Sequence, residues 1–188
     1  MPLTFADIKG EFDQSLGYVR QDIAWLREHK SGLNYTVALL IGCGCEMLAA
    51  TAGDYKKRRG ERVLREMLPS GDWELLAVRL NTALRDGLAH GFDTKHLKVD
   101  GKKFQIYVSW DQPEAIKLEP VAKGLGLFVG MKPLSEALIK KIDECEKLLR
   151  SDEDARKMFK KAYDHQREAE FNKDETKAWK RLVKAAGF

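Results

Sequence analysis

Apolar residues recur along the first thirty positions at helical spacing. Ile8, Phe12, Leu16, Val19, Ile23 and Leu26 follow one another at intervals of four, four, three, four and three. At 3.6 residues per turn that draws one stripe along a helix. Thr4, with Asp7 three residues later, supplies an N-cap. Ser31-Gly32 breaks the pattern. A second helix opens near Asn34 and carries the most apolar stretch of the chain, Val37 to Gly53, where Gly42 and Gly44 leave room for a close helix neighbour. It ends in a basic cluster, Lys56 to Arg59, followed by Gly60. A short helical piece, Glu61 to Leu68, stops at Pro69-Ser70-Gly71. A third long helix is predicted from about Asp72 to His90, with Trp73, Leu76, Leu80, Leu84 and Leu88 inward and Gly91 as its C-terminal stop.

The pattern then changes period. His96 to Val99, Asp100-Gly101 and Phe104 to Trp110 predict a hairpin, because Asp-Gly between alternating segments favours a tight two-residue turn. Ala115 to Glu119 and Leu125 to Val129 add two short strands. Pro133 opens another helix, with Leu134, Leu138, Ile142, Cys145 and Leu149 on one face. Two weaker helical segments follow, at about 154–171 and 174–186. No internal repeat or low-complexity linker separates these pieces. The expectation is a single, mainly α domain over residues 1–188: a helical bundle with a small antiparallel β insertion at about 95–130.

A chain of 188 residues suits one domain. Lys and Arg number 33 against 29 Asp and Glu, so the net charge is +4. That permits a nucleic-acid partner without demanding one. Three cysteines, Cys43, Cys45 and Cys145, are too few for a disulfide framework and fit a reducing compartment. The N-terminal residues lack the basic-then-apolar order of a signal peptide. The run from Val37 to Gly53 falls short of a span of ~20 residues and has Glu46 in its middle, which reads as a buried helix of a soluble, cytoplasmic protein with no membrane role.

Candidate chemistry is sparse. The chain has no Gly-rich phosphate loop, no Cys-x-x-Cys and no His-Glu-x-x-His, so no metal site and no cofactor is expected. Cys43 and Cys45 point about 200° apart on a helix, which excludes a shared metal and leaves them as small core residues. One segment stands apart: Ala83-Leu84-Arg85-Asp86-Gly87-Leu88-Ala89-His90-Gly91-Phe92. Here an Arg, a polar residue, three more residues and a His close an amphipathic helix. An earlier apolar helix carries one acid, Glu46, in Leu40-Ile41-Gly42-Cys43-Gly44-Cys45-Glu46-Met47-Leu48.

In these residues the chain resembles the HEPN superfamily, the higher eukaryotes and prokaryotes nucleotide-binding domains. Those are all-helical, and many are metal-independent endoribonucleases marked by this Arg-polar-x3-His pattern. The resemblance covers residues 1–92 and the helix from Pro133; the strands at 95–130 lie outside the minimal pattern. It implies an endoribonuclease whose active site is shared across a homodimer, of the kind that serves in toxin–antitoxin or phage-defence systems, with an antitoxin or a nucleotidyltransferase as possible partner. RNA is the implied substrate, and a 2′,3′-cyclic phosphate the implied product.

The residue chemistry suits that reading. His90 has the side chain whose ordinary pKa lies nearest neutrality, fit to move a proton from a ribose 2′-hydroxyl or to a leaving 5′-oxygen. Arg85 offers a fixed fork of donors to phosphate oxygens, where charge builds in the transition state. Asp86 and Glu46 would position them. Five residues turn an ideal helix by about 500°, so Arg85 and His90 project about 140° apart, and two copies of the helix across a two-fold axis are needed to bring both to one phosphate.

Plainer alternatives stand beside these. His90 capping a helix C-terminus gains ~0.3–1 kcal/mol and Arg85 is then a surface residue. Glu46 either orients Arg85 or reaches water at a helix edge. Lys56, Lys57, Arg58 and Arg59 either track an RNA backbone or form a solvated helix end. Phe104, Tyr107 and Trp110 either stack on bases or form one face of a sheet against the helices. Two other functional classes remain: a non-catalytic HEPN-like dimer that binds RNA, nucleotide or a protein, and a plain helical interaction protein.

Overall fold

The computed structural model describes residues 2–29, 34–54, 60–84, 97–99, 102–122, 124–167 and 173–185. The first apolar stripe forms α1, Phe5–Phe12, and α2, Tyr18–His29, joined without a break by a π-helical turn, Asp13–Gly17. All six stripe residues are buried. Asp7 accepts hydrogen bonds from the Thr4 N–H and the Thr4 hydroxyl, at 2.8 and 2.7 Å, which fixes the helix start. At the π turn the Ser15 hydroxyl donates to the carbonyls of Glu11 and Phe12, the local back-bonding that loosens a helical ladder.

The apolar helix α3, Asn34–Ala49, continues through a second π-helical turn, Ala50–Asp54. The stretch from Asn34 to Gly53 is 20 residues long, longer than the sequence run alone suggests, and among the described helices it is apolar and long enough to cross a membrane; half of it is buried inside the protein. It packs against α2, against α4, Gly60–Met67, and against α7, Met131–Ser151. Gly44 makes the last approach possible: a Cβ there would stand 2.8 Å from Leu138 Cδ2 and 3.2 Å from Val19 Cγ1. Every apolar residue predicted inward on α7 from Leu134 to Leu149 is buried, except Cys145, which is half-buried.

The predicted third long helix is broken. It comprises α5, Asp72–Leu75, and α6, Ala77–Thr82, with a turn at Leu76 between them. Leu80 and Leu84 are buried as expected, whereas Trp73 and Leu76 are half-buried. Residues 85–96, including Leu88, His90 and Gly91, lie outside the described residues.

The β insertion has four strands: β1, Leu97–Val99; β2, Lys102–Ser109; β3, Ile116–Val121; and β4, Gly124–Gly130. Their order is β1-β2-β4-β3. Each hairpin is antiparallel, but β2 and β4 run parallel, with Ile106 beside Leu127 and Val108 beside Val129. The sheet is therefore mixed where a wholly antiparallel one is predicted. The composition of the strands accounts for the order. β4 is almost continuously apolar and takes an interior place. β3 carries Lys117, Glu119 and Pro120, residues suited to an edge. Swapping their positions sets β4 parallel to β2.

Period two also corrects the aromatic face. Ile106, Val108, Leu127, Val129 and Ile116 point into the core, and Trp110 packs on it. Tyr107, an odd number of residues from Phe104 and Trp110, turns to the other face. There its ring stacks on Phe128 at 4.8 Å.

After α7 come α8, Glu153–Arg167, which packs on the π turn at Ala50–Asp54 and on α1, and α9, Lys173–Ala185. One ion network ties α2 to α7. Arg20 Nη1 donates to Asp143 Oδ1 and to Glu146 Oε2, both at 2.8 Å, while its guanidinium lies over the Phe12 ring. Arg150 Nη2 reaches the other Glu146 oxygen at 2.6 Å. The hydrogen bond from Arg150, then that from Arg20, holds the Glu146 carboxyl below its ordinary value. A carboxylate with a lowered folded-state pKa stabilises the fold above its unfolded value and loses that stabilisation as pH falls through the folded one. Wild-type unfolding free energy should thus drop as pH falls through and below the ordinary carboxylate range. In Glu146→Gln that part of the acid slope should vanish, as urea melts at several pH values would read.

Candidate functional site

The structure describes the approaches to the Arg85–His90 segment. Arg85, Asp86 and His90 themselves lie outside the described residues, as do Lys56, Lys57, Arg58 and Arg59. Helix α6 leads into the segment, and its helical trace continues through Leu84. One side of it is anchored: Ala77, Leu80, Ala83 and Leu84 are at most 2% exposed, and α6 packs on α4. The other side is open. Leu75 is 75% exposed and Val78 44% exposed.

Glu46 sits on α3, half-buried, with its carboxylate oxygen Oε1 buried. It lies where α3 and α4 come closest. A Cβ on Gly60 would stand 2.8 Å from Glu46 Cγ and 3.0 Å from the Glu46 backbone nitrogen. The absence of a side chain at Gly60, the first residue of α4, is what lets α4 approach the Glu46 Cγ and backbone this closely. Of the two sequence alternatives for Glu46, an edge position reaching water does not describe its Oε1.

A second buried polar group lies on α6. Asn81 is 5% exposed, and its Oδ1 accepts no hydrogen bond. Leaving such an acceptor unmet costs about 1–3 kcal/mol. Asn81 stands four residues before Arg85 in the sequence. Asn81 is not among the site residues predicted from sequence. Its signal was a carboxamide next to Leu80, inside the apolar stripe.

Burial keeps two of the three thiols, Cys45 and Cys145, from serving as nucleophiles. Burial pushes the Cys45 thiol up to about 12, and its Sγ rests 3.8 Å from Met67 Sδ. Burial also raises Cys145, whose Sγ lies 3.8 Å from the Thr51 hydroxyl. Both stay protonated at neutral pH, and a thiol is a far weaker nucleophile than a thiolate. Among the described residues no group of three or more His, Cys, Asp and Glu side chains is placed to hold a metal ion. Compared with known protein families, with curated proteins and with solved structures, the chain matches none.

Proposed function

We propose that this protein is a metal-independent endoribonuclease of HEPN type, cytoplasmic and active as a homodimer. Arg85 binds and polarises the scissile phosphate, His90 moves the proton, and Asp86 and Glu46 position them. The nucleophile is the substrate's own 2′-hydroxyl, so the chemistry asks for no metal. The observation that carries the reading is the sequence Arg85-Asp86-x3-His90, which follows directly on a helical stretch with one side buried and the other exposed. Leu75 and Val78, exposed just ahead of the segment, form the seam at which a second copy would meet the first. The buried Oε1 of the half-buried Glu46, on α3 beside Gly60 of α4, supports a role in orienting a cation rather than in solvation alone. Toxin–antitoxin or phage defence, with an antitoxin or nucleotidyltransferase beside it, is the setting this activity fits.

The test is oligomeric state coupled to cleavage. Wild-type protein at micromolar concentration should sediment as a dimer and cleave single-stranded RNA. Leu75→Asp with Val78→Asp places two charges in the seam at positions already exposed, so the fold should persist. The double variant should sediment as the 21.4 kDa monomer and lose cleavage. A wild-type monomer that still cleaves would overturn the shared site.

A further inference from the structure

The last described helix, α9, separates its side chains into two faces. It reads Lys-Asp-Glu-Thr-Lys-Ala-Trp-Lys-Arg-Leu-Val-Lys-Ala over Lys173–Ala185. At about 100° per residue, Trp179, Leu182 and Val183 fall within one arc of about 100°. Lys177, Lys180, Arg181 and Lys184 fall within a second arc of about the same width on the opposite side. The two acids of the helix, Asp174 and Glu175, come earlier in the sequence, and from Lys177 to Lys184 every charge is positive.

The fold leaves both faces at the surface. From Thr176 to Lys184 no side chain is buried, and all four cations are exposed. Trp179 is 55% exposed and Leu182 63%. The helix before it shows how this chain docks a helix when it does so. In α8, Ala155, Phe159 and Ala162, spaced four and three, are all buried, and Phe159 packs on Phe12 with ring centroids 6.2 Å apart.

The occupant of α9 must meet an apolar face and a cationic one together. An RNA strand would engage the cations and leave Trp179 and Leu182 in water. A groove in a protein partner would bury the apolar arc and leave the cations, on the far side of the helix, pointing away from it. Three apolar side chains are also a small face to hold a helix by themselves. An anionic lipid surface answers both faces. A helix lying in the interface sinks its apolar side by about 5–10 Å, while its other side stays at the depth of the charged headgroups. Lys and Arg stems reach sideways to those headgroups, and a Trp ring settles at the same boundary.

We propose that α9 is a membrane-surface helix that lays Trp179, Leu182 and Val183 into an anionic lipid layer and holds its headgroups with Lys177, Lys180, Arg181 and Lys184. The helix lies on the bilayer and does not cross it. Cations and apolar residues act together, so neutral lipid alone does not retain the protein. This surface is independent of the Arg85–His90 reading, since vesicle binding needs no cleavage.

Co-sedimentation of the full chain with lipid vesicles tests it. Phosphatidylcholine vesicles containing about 30% phosphatidylserine should pellet the wild type at least about tenfold more strongly than phosphatidylcholine alone, each Lys or Arg at such a surface being worth about fivefold in affinity. Lys180→Gln with Lys184→Gln should therefore weaken binding by about 25-fold. Trp179→Ser with Leu182→Ser leaves the charge unchanged and should still weaken it by at least about tenfold, through the apolar area it removes. Melting temperatures of both double variants should match the wild type, because the four side chains are exposed. Absence of wild-type pelleting at about 1 mM anionic lipid, or undiminished binding by Trp179→Ser/Leu182→Ser, overturns the proposal. Binding of a 2′-O-methyl single-stranded RNA that is lost in Lys180→Gln/Lys184→Gln, with no vesicle binding by the wild type, overturns it as well and assigns the cations to RNA.

Discussion

Replacing His90 with alanine should abolish RNA cleavage while leaving the protein folded. A positioned proton-transfer group is typically worth 10²–10⁴-fold in rate, a loss plain on a gel. A His near a helix end contributes at most ~2 kcal/mol to stability, which a chain of this size tolerates. The described approach to His90 carries its own anchors, Leu80 and Leu84, so the helix does not depend on the His to stay in place. Arg85→Ala should give the same phenotype. Arg85→Lys should rescue poorly, because Lys keeps the charge and loses the bidentate fork. Cleavage by the wild type should persist in EDTA, since the nucleophile belongs to the substrate. If purified wild-type protein cleaves RNA and His90→Ala cleaves it equally well, the segment is an accident of composition. A small drop in melting temperature with no change in any RNA assay would instead mark His90 as a helix cap.

Much of the bundle is legible because its helices obey one period. The stripe from Ile8 to Leu26 and that from Leu134 to Leu149 need no tertiary information, and the structure buries both. The strands are legible to within two residues at each end, for their turn residues and alternation are local signals. Sheet order is different in kind. Which strand lies beside β2 is a competition between β3 and β4 for an interior place, and the hairpin signals between them say nothing about its outcome. The break at Leu76 is hidden for a similar reason, since every residue from Asp72 to Leu84 fits one helical pattern. At the site, the chemistry-bearing types His90, Arg85 and Glu46 are visible because they interrupt apolar or helical context. Asn81 and Gln112 are not. An Asn or Gln is common on surfaces, and only the fold shows that these two are buried. A surface cleft lined by Arg27, Trp110 and Lys132 joins residues as much as a hundred positions apart, and no local spacing can show it.

Gly130→Ala should be among the most damaging single-methyl changes in the chain. Gly130 closes β4 and caps α7, with φ −81° and ψ 112°, angles that alanine adopts without strain. The difficulty is space. A Cβ at this position overlaps the Glu114 carbonyl oxygen, stands 2.7 Å from the Gln112 carbonyl oxygen and 2.9 Å from Pro133 Cγ. Two of these neighbours are backbone and the third is a proline ring, so no rotamer change relieves the contact. The β2–β3 loop must lift away from the start of α7. That breaks the hydrogen bond from the Gly130 N–H to the Ala115 carbonyl, 3.0 Å, and disturbs the pairing of Ile116 with Val129 beside it. Overpacking that displaces backbone costs about 1–3 kcal/mol and occasionally more, which in a chain of this length lowers the melting temperature by roughly 2–12 °C. Gly10→Ala is the matched control. Gly10 lies exposed in α1 with nothing within 4 Å of a built Cβ, so the same added methyl should stabilise the helix by roughly 0.5–1 kcal/mol. Thermal melts of the two variants should therefore move in opposite directions from the wild type. Equal melting temperatures for Gly130→Ala and the wild type would show that the loop does not rest on the helix start as described.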